Sequence, residues 1–356
     1  MKLKQKNYRS LWLLTVLSFF LSVSVQAEET TLNIYATPLF PDSQVDESKG
    51  YYDLNLAPNQ KETLRLEIGN TSAEPIRIQV TPHTAYTNVL GNVEYGKDAQ
   101  EADPTLIHSL ADLIEPSEVI ELAGNETKTV EIPLQMPEEA FEGFLAGGLR
   151  IAEQKEETAE TDEAEGEGVA IKNEFAYVVG VVVSNTRDSV QPELELLDVF
   201  ADQLNYRNVI SATLQNFTPT FVNQLAVEAT VKRAGENDVL YKAEKEMMQM
   251  APNSNFNFPI SLEGDRFRSG NYILELIATS GENEWSWTRE FTIEADEARK
   301  LNREDVMLDS SINWWMVGTI ILLILLAITV MITFFKKRKK DLDIHSFINQ
   351  ENDQKD

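Results

Sequence analysis

Residues 312–335 (INWWMVGTIILLILLAITVMITFF) run for 24 residues without one charged side chain. A helix of that length, at about 1.5 Å per residue, covers the hydrocarbon core of a bilayer with some tilt. A buried core helix is the alternative, but the flanks favour the membrane. Trp314 and Trp315 sit where an interfacial aromatic belt belongs, and Lys336, Lys337, Arg338, Lys339 and Lys340 follow at once. By the positive-inside rule that end faces the cytoplasm. The run therefore predicts a membrane-crossing helix and assigns the rest of the chain to two compartments: residues 28–311 outside, and a polar tail, 336–356, inside. The tail has no room for a kinase or sensor domain.

The other end agrees. Lys2, Lys4, Lys6 and Arg9 precede an apolar stretch from Leu11 to Val25, and Val25-Gln26-Ala27 fits a small-residue cleavage site. Residues 1–27 thus read as a signal peptide, with an uncleaved anchor as the alternative. The expected protein is single-pass type I in the cell membrane, ectodomain outside. No LPxTG-like sorting motif precedes the apolar run, so the protein is expected to remain in the membrane. The 356 residues contain no cysteine, which excludes disulfide frameworks, thiolate metal sites and cysteine nucleophiles. A net charge of −27 argues against nucleic-acid binding, because phosphates need basic partners.

Between the ends, strand-length alternation dominates. Leu64, Leu66 and Ile68 share one face of residues 63–69, as do Ile76, Ile78 and Val80 in 75–80 and Val130, Ile132 and Leu134 in 129–134. Period two with turn residues between is the pattern of a β-sandwich. Residues 154–168 are an acidic, low-complexity stretch that cannot bury surface. It reads as a linker or, preferred here, as a loop between strands 144–152 and 169–184, the second strand returning to close the first sandwich. The apolar run Tyr177–Val183 then fits a buried central strand. The hinge follows at 185–192. Seven strand-like runs follow, near 193–199, 208–216, 222–232, 238–246, 253–262, 271–279 and 284–293, an immunoglobulin-like count. The expected fold is an all-β ectodomain of two tandem immunoglobulin-like sandwiches, residues 28–187 and 188–296, then a helix-prone juxtamembrane stalk, 297–311, and one transmembrane helix.

Catalytic motifs are absent: no HExxH, P-loop, GxSxG or GxGxxG occurs. His83 follows Pro82 in an expected turn, His108 lies in an apolar LIHSL expected as local helix or strand, and His345 is in the tail. None has a second ligand nearby, so no metal or cofactor is expected. The chain reads as a binding protein and not an enzyme. Four aromatic residues are ligand-contact candidates. Phe217 and Phe221 flank Thr218-Pro219-Thr220 in an expected loop, and either anchor a partner or fold back onto the core. Trp285 and Trp287 share one face of a strand, and either stack on a ligand or join the core. Gly143, Gly147 and Gly148 mark either a close backbone approach or an ordinary bulge.

Several blocks carry a resemblance. Residues 50–56 (GYYDLNL), 91–95 (GNVEY), 136–143 (MPEEAFEG), 147–151 (GGLRI), 173–180 (NEFAYVVG), 201–205 (ADQLN), 250–254 (MAPNS) and 285–288 (WSWT), in this order, resemble the WxL-interacting proteins of low-GC Gram-positive bacteria. The resemblance covers nearly the whole chain. It implies a peptidoglycan-binding block near 32–153, a host-protein-binding block near 165–297, and association with WxL-domain proteins at the wall. It supplies no catalytic motif. A wall-modifying hydrolase accessory or a wall-state sensor is the alternative.

Overall fold

The computed structural model describes residues 33–154, 175–308, 315 and 317–333. The expected signal peptide with Val25 and Ala27, the acidic stretch beyond Gln154, Trp314 and the basic cluster Lys336–Lys340 lie outside the described residues.

The first sandwich contains β1 (Ile34–Leu39), β2 (Tyr52–Asn55), β3 (Lys61–Asn70), β4 (Ile76–Thr84), β5 (Tyr86–Thr87), β6 (Val93–Glu94), β7 (Ile120–Leu122), β8 (Thr127–Gln135), β9 (Leu145–Glu153) and β10 (Ala176–Ser184). One sheet has the order β1-β3-β8 and the facing sheet β2-β10-β9-β4-β7, with β5 and β6 as a separate small ribbon. The alternating runs read from the sequence supply the core: Leu64, Leu66, Ile68, Ile76, Ile78, Val80, Val130, Ile132 and Leu134 are all buried in one cluster. Each such side chain stabilises the fold by about 1.5–3 kcal/mol relative to exposure.

Strand β10 pairs antiparallel with β9 from Ala176 to Val183, so the strand beyond the acidic stretch returns to the first sandwich. Its other neighbour, β2, runs parallel to it and is only four residues long, matching Val181–Ser184 alone. The expectation of a buried run from Tyr177 to Val183 is therefore corrected. Val179, Val181 and Val183 enter the core, but Tyr177 and Val178 remain about 40% exposed, at 38% and 40%. A second correction concerns His83 and Pro82, which lie within β4 and not in a turn; His83 Nδ1 sits 2.8 Å from Asp98. His108 is in irregular chain, its ring tilted against Phe141 at 6.2 Å.

The second sandwich contains β11 (Leu194–Leu204), β12 (Arg207–Asn216), β13 (Val222–Arg233), β14 (Val239–Met250), β15 (Ser254–Ser261), β16 (Gly270–Ser280) and β17 (Asn283–Ile293). The sheets are β11-β12-β15 and β14-β13-β16-β17, closed over a core of their inward residues. Helix α1 (Ala295–Glu304) begins with a capping box between Glu294 and Glu297. It does not stand off as a stalk. Ala298 is buried in the second core, Leu301 packs beside it, and Gln203 Nε2 donates to the Leu301 carbonyl at 2.8 Å. Asp305 then accepts from the Asn208 amide at 2.8 Å.

Past α1, residue 315 and residues 317–333 are helical and exposed almost throughout. Among the described residues no helix is long and apolar enough to cross a membrane.

Candidate binding cleft between the two sandwiches

The sandwiches are fastened by polar contacts between a loop and short ribbon of the first and strands of the second. The chain between β4 and β7 reaches across to the second sandwich. Its Asp103 accepts from Gln215 Nε2 at 2.9 Å to both oxygens and from Asn255 Nδ2 at 2.6 Å. Thr87 Oγ1 lies 2.6 Å from Ser254 Oγ and accepts from the Ala251 amide at 3.0 Å. The Gln249 amide donates to the Gly91 carbonyl, and the Phe144 amide to the Pro219 carbonyl, both at 2.8 Å. Burial pushes the Asp103 carboxyl up, but hydrogen bonds from Thr105, Asn255 and Gln215 outweigh it and hold the group below the usual aspartate value. Of the glycines singled out in the sequence, Gly143 answers to close approach. Its φ is +70°, and a Cβ there would stand 2.1 Å from the Pro219 carbonyl oxygen. Gly148 serves the same end within the first sandwich, where a Cβ would meet the Tyr95 carbonyl oxygen at 2.6 Å.

Above this clasp lies a cleft of about 770 Å³. Tyr51, Tyr95, Phe144 and Phe221 give it aromatic walls, and Val178 and Val182 of β10 an aliphatic one. At one side Asp53, 4% exposed, is held between two cations: Lys49 Nζ is 2.6 Å from one oxygen and Arg187 Nη1 2.7 Å from the other. The Arg187 guanidinium lies over the Phe144 ring at 5.6 Å, and the Lys49 ammonium over Tyr51 at 5.5 Å. The hydrogen bond to Asp53 raises the Lys49 pKa above its ordinary value, so the ammonium stays charged. Burial, with the neighbouring Tyr51, pushes the Tyr95 hydroxyl up to about 12, so it stays neutral and able to donate. The cleft thus presents aromatic faces, a buried carboxylate between two cations and an apolar strand. Among the described residues no group of His, Asp and Glu is placed to hold a metal ion.

Of the aromatic candidates read from the sequence, the structure brings only Phe221 to the cleft, its ring 6.3 Å from that of Phe144. Phe217 is 39% exposed and lines no part of it. Trp285 and Trp287 pack half-buried against the second core from the edge strand β17, and Trp285 Nε1 donates to Glu193 at 3.1 Å. Lys49, Asp53 and Arg187 went unnoticed in the sequence. The signal was present in the GYYDLNL block, which sets Asp53 beside two tyrosines.

Residues 35–153 match the family model described as WxL Interacting Protein, peptidoglycan binding domain, and residues 166–303 match that described as WxL Interacting Protein, host binding domain. The chain belongs to the WxL-interacting protein family. The cleft of this WxL-interacting protein is built by both matched regions: Tyr51, Tyr95 and Phe144 come from the first, Val178, Arg187 and Phe221 from the second. The ladder divides the chain differently, since β10 falls inside the second match yet hydrogen-bonds within the first sandwich. None of the curated proteins compared with the chain matches it. Among solved structures, a chaperone–tip adhesin complex of CFA/I fimbriae aligns at 10% identity over 72% of this chain and 98% of that chain, TM-score 0.30. The YadV chaperone aligns at 10% identity over 74% and 100%, TM-score 0.29. The CupB2 chaperone of Pseudomonas aeruginosa aligns at 15% identity over 67% and 97%, TM-score 0.27. At these scores the likeness carries nothing about partner or mechanism.

Proposed function

We propose that this protein is a membrane-anchored scaffold at the bacterial cell surface, holding WxL-domain proteins and peptidoglycan, with host proteins as further contacts. The observation that carries the reading is the pair of binding-domain matches on two sandwiches fastened around one aromatic-lined cleft. Exposed aromatic faces stack on sugar rings and anchor polypeptides alike. The membrane part rests on the uncharged run 312–335. The helical residues 317–333 are mostly apolar and, among the described residues, exposed almost throughout. The signal peptide and type I orientation rest on the basic n-region and the basic cluster after the run. In this reading the two sandwiches are immunoglobulin-like modules that meet at 185–193.

The test uses the full-length protein in lipid nanodiscs. Biolayer interferometry against a purified WxL-domain protein and co-sedimentation with insoluble peptidoglycan run in parallel. Saturable binding in both arms, without release of soluble wall fragments, supports the scaffold. Turnover of peptidoglycan, or failure to bind in one arm or the other, would sink it.

A further inference from the structure

The five residues Ala176–Gly180 of β10 extend past the end of β2, whose pairing starts at Val181. The Leu56 amide donates to the Ser184 carbonyl at 2.9 Å, so Ser184 turns its backbone groups toward the β2 side. Backbone groups alternate along a strand, so those of Val182, Gly180, Val178 and Ala176 face that side as well. The opposite flank agrees. The Ala85 amide donates to Ala146 of β9, which leaves Leu145, Gly147, Leu149 and Ile151 to bond with Val183, Val181, Val179 and Tyr177. Among the described residues, the N–H and C=O groups of Ala176 and Val178 therefore meet no strand. Beside this edge Phe175, Tyr177 and Val178 are exposed at 47%, 38% and 40%, and Val178 itself lines the cleft.

We infer that Ala176–Gly180 is a strand-addition site, and that its occupant is an extended segment of the WxL-domain protein, apolar at alternate positions. This deepens the scaffold reading above and rests on it. A row of alternating donors and acceptors is matched by another polypeptide backbone and not by a sugar chain, which separates this edge from the glycan strands of peptidoglycan. The open stretch, at about 3.3 Å per residue, is the length of an ordinary strand. Apolar side chains on the edge select apolar ones opposite. A net charge of −27 disfavours a second copy of the same chain as the occupant.

The discriminating substitution is Val178→Pro. It deletes one of the N–H groups that face the open side and leaves the β9 ladder intact, whereas Val178→Ala keeps the donor and trims only the side chain. Full-length wild type, V178A and V178P in nanodiscs are compared by interferometry against the WxL-domain protein, with the melting temperature of each. Hydrogen exchange at the Val178 amide is followed in wild type with and without partner. The expected result is binding weakened at least about tenfold in V178P and by less than about threefold in V178A, with Val178 protected only when the partner is present. Wild-type binding by V178P overturns the inference. So does a Val178 amide already protected in the free protein, which shows the edge covered from within. Self-association that V178P abolishes makes a second copy the occupant and overturns the assignment. If the wild type itself does not bind the WxL-domain protein, the scaffold reading fails and takes this occupant with it, an outcome distinct from binding that V178P retains. Should V178P fold poorly, the exchange measurement on wild type decides alone.

Discussion

Asp53 shows how much one residue organises. It is buried, it meets Lys49 and Arg187, and those cations cover two aromatic rings of the cleft. Asp53→Ala leaves both cations facing each other without their counter-charge. Both are partly exposed, at 36% and 29%, so water recovers part of the loss. A destabilisation of about 2 kcal/mol follows, read as a melting temperature lower by several degrees. An unchanged melting temperature in D53A would mean the ion pairs are ornamental. Gly143 is the second such residue. A Cβ there enters the Pro219 carbonyl, which is backbone and cannot swing aside. Gly143→Ala should open the domain contact and speed proteolysis within 185–193, while G235A, whose Cβ meets nothing, should not. Equal proteolysis of the two variants would count against close approach as the role of Gly143.

Among the elements, the docked helix and the inter-sheet clasp behave differently from what charge patterning suggests. Residues 295–304 look like a solvated stalk because seven of the ten side chains are polar, yet Ala298 and Leu301 suffice to seat them. Ala298→Asp places a carboxylate against the second core, at about 3 kcal/mol if it stays there. The helix should undock instead, and its amides should exchange orders of magnitude faster while β12 keeps its protection; slow exchange in A298D would refute the docking. The clasp is set by Asp103. Its folded-state pKa lies below the ordinary aspartate value, so its contribution is complete above about pH 4 and fades as the pH falls through the depressed value. Small-angle scattering should therefore show a larger radius of gyration well below about pH 4, once the depressed pKa is passed, in the wild type, and at neutral pH in D103A. A radius independent of both would leave the carboxylate without a role.

At the same scale one sees what could be read beforehand. Strands whose every second residue is buried, such as 64-66-68 and 130-132-134, declare themselves by period two. The return of β10 to the first sandwich was also visible, because two apolar runs flanked a stretch that could bury nothing. Strand β2 was invisible as a strand, since four residues are too few for a period. The cleft was less legible still. Lys49 and Arg187 are 138 positions apart in the chain and meet only through Asp53, and the clasp works through polar side chains, Asp103 in a loop and Thr87, Gln215 and Asn255 on strands, that follow no apolar repeat. The tryptophan pair illustrates the converse. Its chemistry suggests a ligand, but an edge strand offers the second core as a partner first.

Taken whole, the described residues form two large cores and a small third cluster between them, where Ala85, Ala146 and Val182 of one sandwich meet Ala251 of the other. A shared cluster plus several buried hydrogen bonds should couple the two in unfolding. Calorimetry of the wild type is expected to give one cooperative transition, and of a D103A/G143A double variant two. Two transitions already in the wild type would show that the sandwiches unfold independently.

The docking of α1 also fixes how the molecule takes load. The Val306 amide donates to the Tyr206 carbonyl, in the turn between β11 and β12, and Asp305 holds Asn208 at the start of β12. A pull applied at the C-terminal side of residue 308 should meet the Val306 and Asp305 bonds before it can peel the helix away. It enters at β12, the middle strand of its sheet, where the flanking ladders to β11 and β15 resist as rows of bonds sheared together. The segment just past the short helix is thereby tied, like a cleat, to the start of a core strand, which is where tension along the chain is expected to arrive.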